Sequence, residues 1–222
     1  MNKREVRFAP MELRTEQENE EVAYIEGFPI VFNQETDMGD WREVIDPSVT
    51  GDEKLLRNVA LMIGHDFGSI PLAHSRRNNG SGTMQLTAAE EGVFMRAALD
   101  VKNNPKAAEA YSAVKRGDLS GMSFALTVNQ EYWEDLDTEK PLRRITGFGR
   151  IFEVSLVAFP AYSGTSVQAA SEGDALESVR ASLESAKQKL AEERAAQADQ
   201  ERRTAVLEWL ENYRKEVKHD EV

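Results

Sequence analysis

The chain has 222 residues, 41% of them hydrophobic and 30% charged, with a formal net charge of -12 and no cysteine. That length carries one full hydrophobic core plus an appendage, and the lack of cysteine excludes a disulfide framework, a thiolate nucleophile and a Cys-ligated zinc. The acidic balance argues against a nonspecific grip on nucleic acid, which needs a basic footprint, and leaves basic or amphipathic protein segments open as partners.

Residues 1–22 read as a polar N-terminal lead-in with one strand at Glu5 to Phe8 and no apolar signal-peptide core. No run of about 18 apolar residues follows, so no membrane-spanning helix is expected. "EVAYIEGFPIVFNQ" reads as a strand interrupted by Gly27 and Pro29. A short apolar segment, Trp41 to Ile45, stops at Asp46-Pro47. Val59 to Ile63 and Ile70 to Ala73 read as short strands around the turn "GHDFGS". Asn79-Gly80 and Gly82 supply hairpin turn chemistry, and Glu91-Gly92 supplies a second turn before a strand over Val93 to Leu99.

"NPKAAEAYSAVKRGD" predicts a short helix, with Pro105 in its first turn, Gly117 at its close, and Ala107, Ala110, Tyr111 and Val114 on one stripe. In "MSFALTVNQEYWED", Phe124, Leu126 and Val128 alternate with Ser123, Ala125 and Thr127, a strand pattern. "LRRITGFGRIFEVSLVAF" gives one or two more strands, ending at Pro160. The body, residues 23–167, is therefore predicted to be mainly β with flanking helices (α+β), a small closed or nearly closed β-barrel, since no regular β-helix-β alternation occurs. A flexible linker at 168–173 leads to an acidic helical tail at 174–222, in which Leu176, Leu183 and Leu190 stand seven apart. Its apolar seam weakens through "AEERAAQADQERR" and returns at Val206, Leu207, Leu210, Tyr213 and Val217.

"RGDLSGMSFAL" sets a hydroxyl, Ser123, where a polar turn gives way to an apolar run. It is either a strand serine tied to backbone or a nucleophile, and a nucleophile needs a base and an orienting group. Of three histidines, His219 lies in the charged tail, His74 enters a polar turn beside two arginines, and His65 closes an apolar run between Gly64 and Asp66. His65 is equally readable as structural or as an imidazole held at a strand end within reach of a cleft. Gly121 is a loop glycine easing entry to the strand, or a position whose neighbouring amides, with that of Met122, hold an oxyanion. Glu153, amid Ile151, Phe152, Val154, Leu156 and Val157, either marks a solvent face or accepts a hydrogen bond from imidazole. Alternation sets Ile151, Glu153, Ser155 and Val157 on one face. Asp66 competes as orienter. His65, Asp66 and His74 offer metal ligands without a paired spacing, and "NNGSGT" lacks the Lys-Ser/Thr of a phosphate loop, so neither a metal nor a cofactor is expected.

Taken in order, "ALMIGHDFGSIPLA", "EEGVFMRAAL", "VKRGDLSGMSFAL" and "FGRIFEVSLVAFPAYSGTSV" resemble the prohead protease family of tailed bacteriophages, similar in core to the capsid-maturation proteases of herpesviruses. The resemblance implies a serine endopeptidase with a small β-barrel flanked by helices. It implies cleavage of scaffold protein or the scaffolding segment of the major capsid protein, and of the enzyme itself. It implies action in the host cytoplasm during assembly, then inside the immature capsid, with a homodimer as the form suggested by relatives. It carries the nucleophile onto Ser123 rather than Ser120, the base onto His65 and the acidic member onto Glu153, with His74 or Asp66 as lesser candidates for that third role. Gly64 stands where the family often has Asn, and Ala125-Leu126 where it often has Gly-Phe; alanine in place of glycine at 125, on the strand beside the nucleophile, is expected to narrow an extended-substrate groove. The rival reading is a non-enzymatic capsid scaffold or assembly module that keeps the protease-like barrel.

Overall fold

The computed structural model describes residues 3–9, 13–158 and 173–219. In chain order its strands are β1 (Arg4–Ala9), β2 (Arg14–Gln17), β3 (Val22–Val31), β4 (Thr36–Asp37), β5 (Arg42–Ile45), β6 (Ala60–Ile63), β7 (Ala73–His74), β8 (Met84–Ala88), β9 (Gly92–Asp100), β10 (Gly121–Glu134) and β11 (Leu142–Val157). Helix α1 (Pro105–Arg116) lies between β9 and β10, and α2 (Gly173–His219) starts on the last residue of the expected linker; 168–172, Pro160 and Val167 fall outside the described residues. By contacts the chain divides into two units, 1–178 and 179–222.

One sheet runs β1-β10-β11-β5-β4, with β6 also on β11 and β7 on β6; the other runs β2-β3-β9-β8. The fold is thus mainly β with helices, but a closed barrel is not formed: among the described residues no ladder joins the two sheets into a ring. Instead, inward residues of both, among them Ile25, Met95, Phe124, Leu126, Val154 and Leu156, fill one core. The other edge of β11 is shared by two parallel strands, β5 on Leu142–Ile145 and β6 on Glu153–Leu156. That arrangement brings the end of β6 beside the last residues of β11.

Local chemistry accounts for much of this. Asn104 caps α1 by accepting from the Lys106 and Ala107 amides, Pro105 fills the first position, and Gly117 closes the helix at φ 82, a left-handed conformation that costs glycine least. Ala107, Ala110 and Val114 are its buried stripe. The expected interruption at Gly27 and Pro29 is a register shift within a continuous β3. The turn around Asn79-Gly80 does not join a hairpin: β7 before it pairs with β6, while β8 after it pairs with β9 in the other sheet. Side chains hold that crossing, since Thr83 Oγ1 accepts from the His74 amide and Asn78 bridges both backbone groups of Leu86. Ile70, read as strand, is exposed loop. In α2, Ala175, Val179 and Leu183 are buried, whereas Val206, Leu207 and Leu210 are exposed; Tyr213 and Val217 lie outside the described side chains. No helix among the described residues is long and apolar enough to cross a membrane.

The lead-in contributes two strands, and β1 is fixed by charge. Glu5 and Arg7 are buried together with Glu43 of β5 and Arg143 of β11. Arg7 bonds both Glu43 and Glu5, and Arg143 bonds Glu5 at 2.8 Å, Glu43 at 2.9 Å, and Glu131 of β10 at 2.9 Å. Burial pushes the Glu43 carboxyl up, but the Arg7 and then Arg143 guanidinium groups outweigh it and hold it below the usual glutamate range. The stability this carboxylate contributes is therefore present above pH 4.5, its ordinary value, and is lost as pH falls through the lower folded value. Removing Arg143 leaves three carboxylates, Glu5, Glu43 and Glu131, to the one guanidinium of Arg7. Arg143→Met should destabilise the protein by roughly 3–5 kcal/mol in urea unfolding, well beyond the effect of a surface arginine exchange.

Candidate active site

The chain leaves β6 through a tight turn. The Gly64 amide donates to the Leu156 carbonyl at 3.0 Å and the Asp66 amide to Ile63 at 3.1 Å. Gly64 and His65 both take positive φ, 57 and 61. A glycine adopts this readily, but for a histidine such strain is of the order of 1–3 kcal/mol and must be held by its surroundings. Here the holder is β11. The His65 amide donates to Ser155 Oγ at 3.1 Å, and His65 Nδ1 lies 2.7 Å from Glu153 Oε1.

Glu153 has no exposed surface. Its other oxygen, Oε2, accepts from Ser155 Oγ at 2.5 Å. The four groups form a closed ring: His65 amide to Ser155 hydroxyl, hydroxyl to carboxylate, carboxylate to imidazole. A carboxylate at Nδ1 accepts the ring proton there, which leaves Nε2 with its lone pair and the character of a base. The solvent-face reading of Glu153 is thereby corrected. A bulge explains why alternation misplaces Ile151: Leu126 pairs with Ile151, but Ala125 pairs with Glu153, so Phe152 is the extra residue. Ile151 consequently joins the core with Val154 and Leu156, leaving the face on which Glu153 and Ser155 remain.

Ser123 stands directly opposite Ser155 in the β10–β11 ladder, and Ala125 opposite Glu153. Cross-strand partners project to the same face about 4.5–5.5 Å apart at Cβ, so Ser123 is the immediate neighbour of the pair that holds His65. Met122, Phe124 and Leu126 point the other way, into the core. Ser123 is buried and its hydroxyl donates to the Arg7 carbonyl of β1 at 2.6 Å. Gly121 and Met122 begin β10, paired with Val157 and Leu156. Ser120 is exposed and its hydroxyl donates to the Ala158 carbonyl at 3.3 Å.

The two lesser candidates are engaged elsewhere. His74 lies on β7, opposite Ala60, and its Nδ1 accepts from the Arg76 amide at 2.9 Å. Burial, then the Arg76 charge, lower its pKa. Asp66 is exposed and turned into its own loop, accepting from Ser69 Oγ at 2.5 Å and the Gly68 amide at 3.1 Å; the Ser69 bond, then the amide, hold its carboxyl below the usual range. Among the described residues no three His, Asp or Glu side chains converge as a metal-ligand set. Sequence reasoning set Ser155 on Glu153's face but gave it no role. The signal was the Glu-x-Ser spacing, which projects both side chains to one side of a strand.

A family model described as caudovirus prohead serine protease matches residues 9–179. The chain belongs to this family. It is accordingly a serine protease of the capsid-maturation kind. Among solved structures, it is similar to the bacteriophage T4 capsid assembly protease, gp21, at 10% identity over 71% of this chain and 98% of that one, with a TM-score of 0.43. No curated protein matches it. For this prohead protease the ring around Glu153 yields a direct expectation. Ser155→Ala frees one carboxylate oxygen and the His65 amide, and should lower kcat by about 10²-fold through misplacement of the imidazole, with KM little changed in a peptide-cleavage assay.

Proposed function

We propose that this protease hydrolyses peptide bonds with Ser123 as nucleophile, His65 as general base and Glu153 as the orienting carboxylate. The observation that carries the reading is the 2.7 Å contact between His65 Nδ1 and the fully buried Glu153, on the face that Ser123 shares. Two charged or polar groups committed to each other in this way, one strand from a buried serine, match the needs of acyl transfer. His65 Nε2 takes the Ser123 proton as Oγ attacks the scissile carbonyl. The imidazolium formed is stabilised by Glu153, and amides at Gly121 and Met122, or in an adjoining loop, receive the oxyanion. His65 then returns the proton to the leaving amine. A water deprotonated by the same imidazole adds to the acyl-serine, and collapse of that second tetrahedral species frees the carboxylic acid and restores Ser123.

The substrates are scaffold protein or the scaffolding segment of the major capsid protein, and the protease itself, acted on inside the immature capsid. Helix α2 carries exposed Val206, Leu207, Trp209 and Leu210, a surface suited to bringing the enzyme into the assembling shell. Deleting 186–222, which spares the buried Ala175, Val179 and Leu183, should reduce incorporation into proheads while leaving cleavage of a free peptide unchanged.

Coexpression with the capsid protein, followed by intact-mass analysis, tests the central reading. Ser123→Ala should abolish every cleavage product and all labelling by a fluorophosphonate, with no loss of thermal stability beyond about 1 kcal/mol. Glu153→Gln, which keeps the shape but not the charge, should reduce turnover by about 10⁴-fold. Persistent cleavage by the Ser123→Ala protein would overturn the assignment.

A further inference from the structure

Among the described residues before α2, three large hydrophobic side chains are exposed: Phe67, Ile70 and Tyr132. Two of the three lie within five residues of His65, on the loop between β6 and β7. Ile70 is 83% exposed, and Phe67 is 46% exposed although the Arg4 guanidinium lies over its ring, 4.4 Å from the centre. A single exposed apolar residue needs no explanation, but a pair on one short loop does. The loop is not slack. The Asp66 carboxylate accepts from Ser69 Oγ at 2.5 Å and from the Gly68 amide at 3.1 Å, and the Ser69 amide donates to the Asp66 carbonyl at 3.1 Å. Lys106, in the first turn of α1, donates to Ser69 Oγ at 3.0 Å. The second leg then returns to the sheet, with the Leu72 amide on the Leu61 carbonyl at 2.8 Å. Polar bonds fix the loop from within and leave its apolar side chains in water.

Reaction chemistry says which part of a substrate meets this loop. When a peptide bond breaks, the leaving nitrogen takes its proton from the imidazole, so that nitrogen lies within hydrogen-bond reach of His65 Nε2. The substrate residue that begins with this nitrogen therefore passes beside the loop that bears His65. We infer that Phe67 and Ile70 form an apolar subsite on the leaving-group side, which takes an aliphatic side chain from the residue that follows the scissile bond. This rests on His65 being the general base. Contact between that side chain and the loop removes apolar surface of both partners from water, and a residue without a side chain gains nothing there. The preference it creates belongs to the departing half of the substrate, apart from whatever the acyl half contributes.

By microscopic reversibility, an added amine that attacks the acyl-serine occupies the leaving-group position. Its nitrogen bonds to the acyl carbon, the bond to Ser123 Oγ breaks, and the proton it sheds passes through His65 to Oγ. The full-length protease is acylated with the thioester of a peptide ending at a cleavage point mapped by intact mass, and leucinamide or glycinamide at equal concentration competes with water. The ratio of peptide amide to peptide acid comes from one acyl-enzyme and does not depend on how much of the protein is active. Leucinamide should capture the acyl group about tenfold better than glycinamide. In Phe67→Ser/Ile70→Ser the two amines should differ by less than about twofold, whereas Ile70→Leu, which keeps the bulk, should retain the wild-type preference. Equal capture of the two amines by the wild type, or an undiminished preference in the double variant, would overturn the inference while leaving His65 as base. A thioester whose consumption the protease does not accelerate would instead remove the catalytic assignment on which the subsite depends.

Discussion

A carboxylate with no contact with water costs several kcal/mol unless its charge is answered on every side, and Glu153 is such a carboxylate. One oxygen meets His65 Nδ1 and the other the Ser155 hydroxyl. Ser155 in turn accepts the amide of the residue whose ring Glu153 holds. The ring of bonds therefore fixes both ends of His65, backbone and side chain, and this is what keeps a histidine at a φ of 61. The tautomer and the turn after β6 depend on it. Because Ser123 pairs with Ser155 and Ala125 with Glu153, the side chains of Glu153 and Ser155 share their face with Ser123.

Where neighbours in sequence decide the structure, the sequence was legible. The strand alternation from Met122 to Val128, the cap, proline and closing glycine of α1, and the glycine-free stretch of α2 all act over one or two turns or a few strand residues. What was not legible depends on registers between distant segments. His65 and Glu153 are 88 residues apart, and nothing local says that β6 will lie parallel on the far half of β11. The bulge at Phe152 moved Ile151 into the core against its apparent period. The Asn79-Gly80 turn has the chemistry of a hairpin, yet its flanking strands belong to different sheets because β7 finds β6 and β8 finds β9. Ser155 was set on the right face and passed over, since its importance lies in joining two groups rather than in its own reactivity.

The lead-in shows the same limit with larger energies. Glu5, Arg7, Glu43, Glu131 and Arg143 alternate with apolar residues or sit among polar ones, and by composition each resembles a surface charge. The fold instead gathers them at the junction of β1, β10, β11 and β5. Apolar residues of similar volume would often serve stability as well or better at such a junction. An apolar anchor, however, is indifferent to which strand supplies it. An ionic one demands opposite charges at fixed spacing on whatever strand lies along β10.

That demand connects the cluster to the site. The strand that satisfies it, β1, is also the one whose Arg7 carbonyl holds the Ser123 proton and whose Arg4 lies over Phe67 beside His65. Side-chain charge on one face of β1 sets its register, and the register decides which carbonyl meets the serine. A slip by two residues would carry Glu5 and Arg7 away from Arg143 and Glu43, and would bring a different carbonyl to Ser123. The buried charges thus determine the position of the backbone at the nucleophile more sharply than packing alone, because a two-residue slip preserves which face is apolar but not which charges meet.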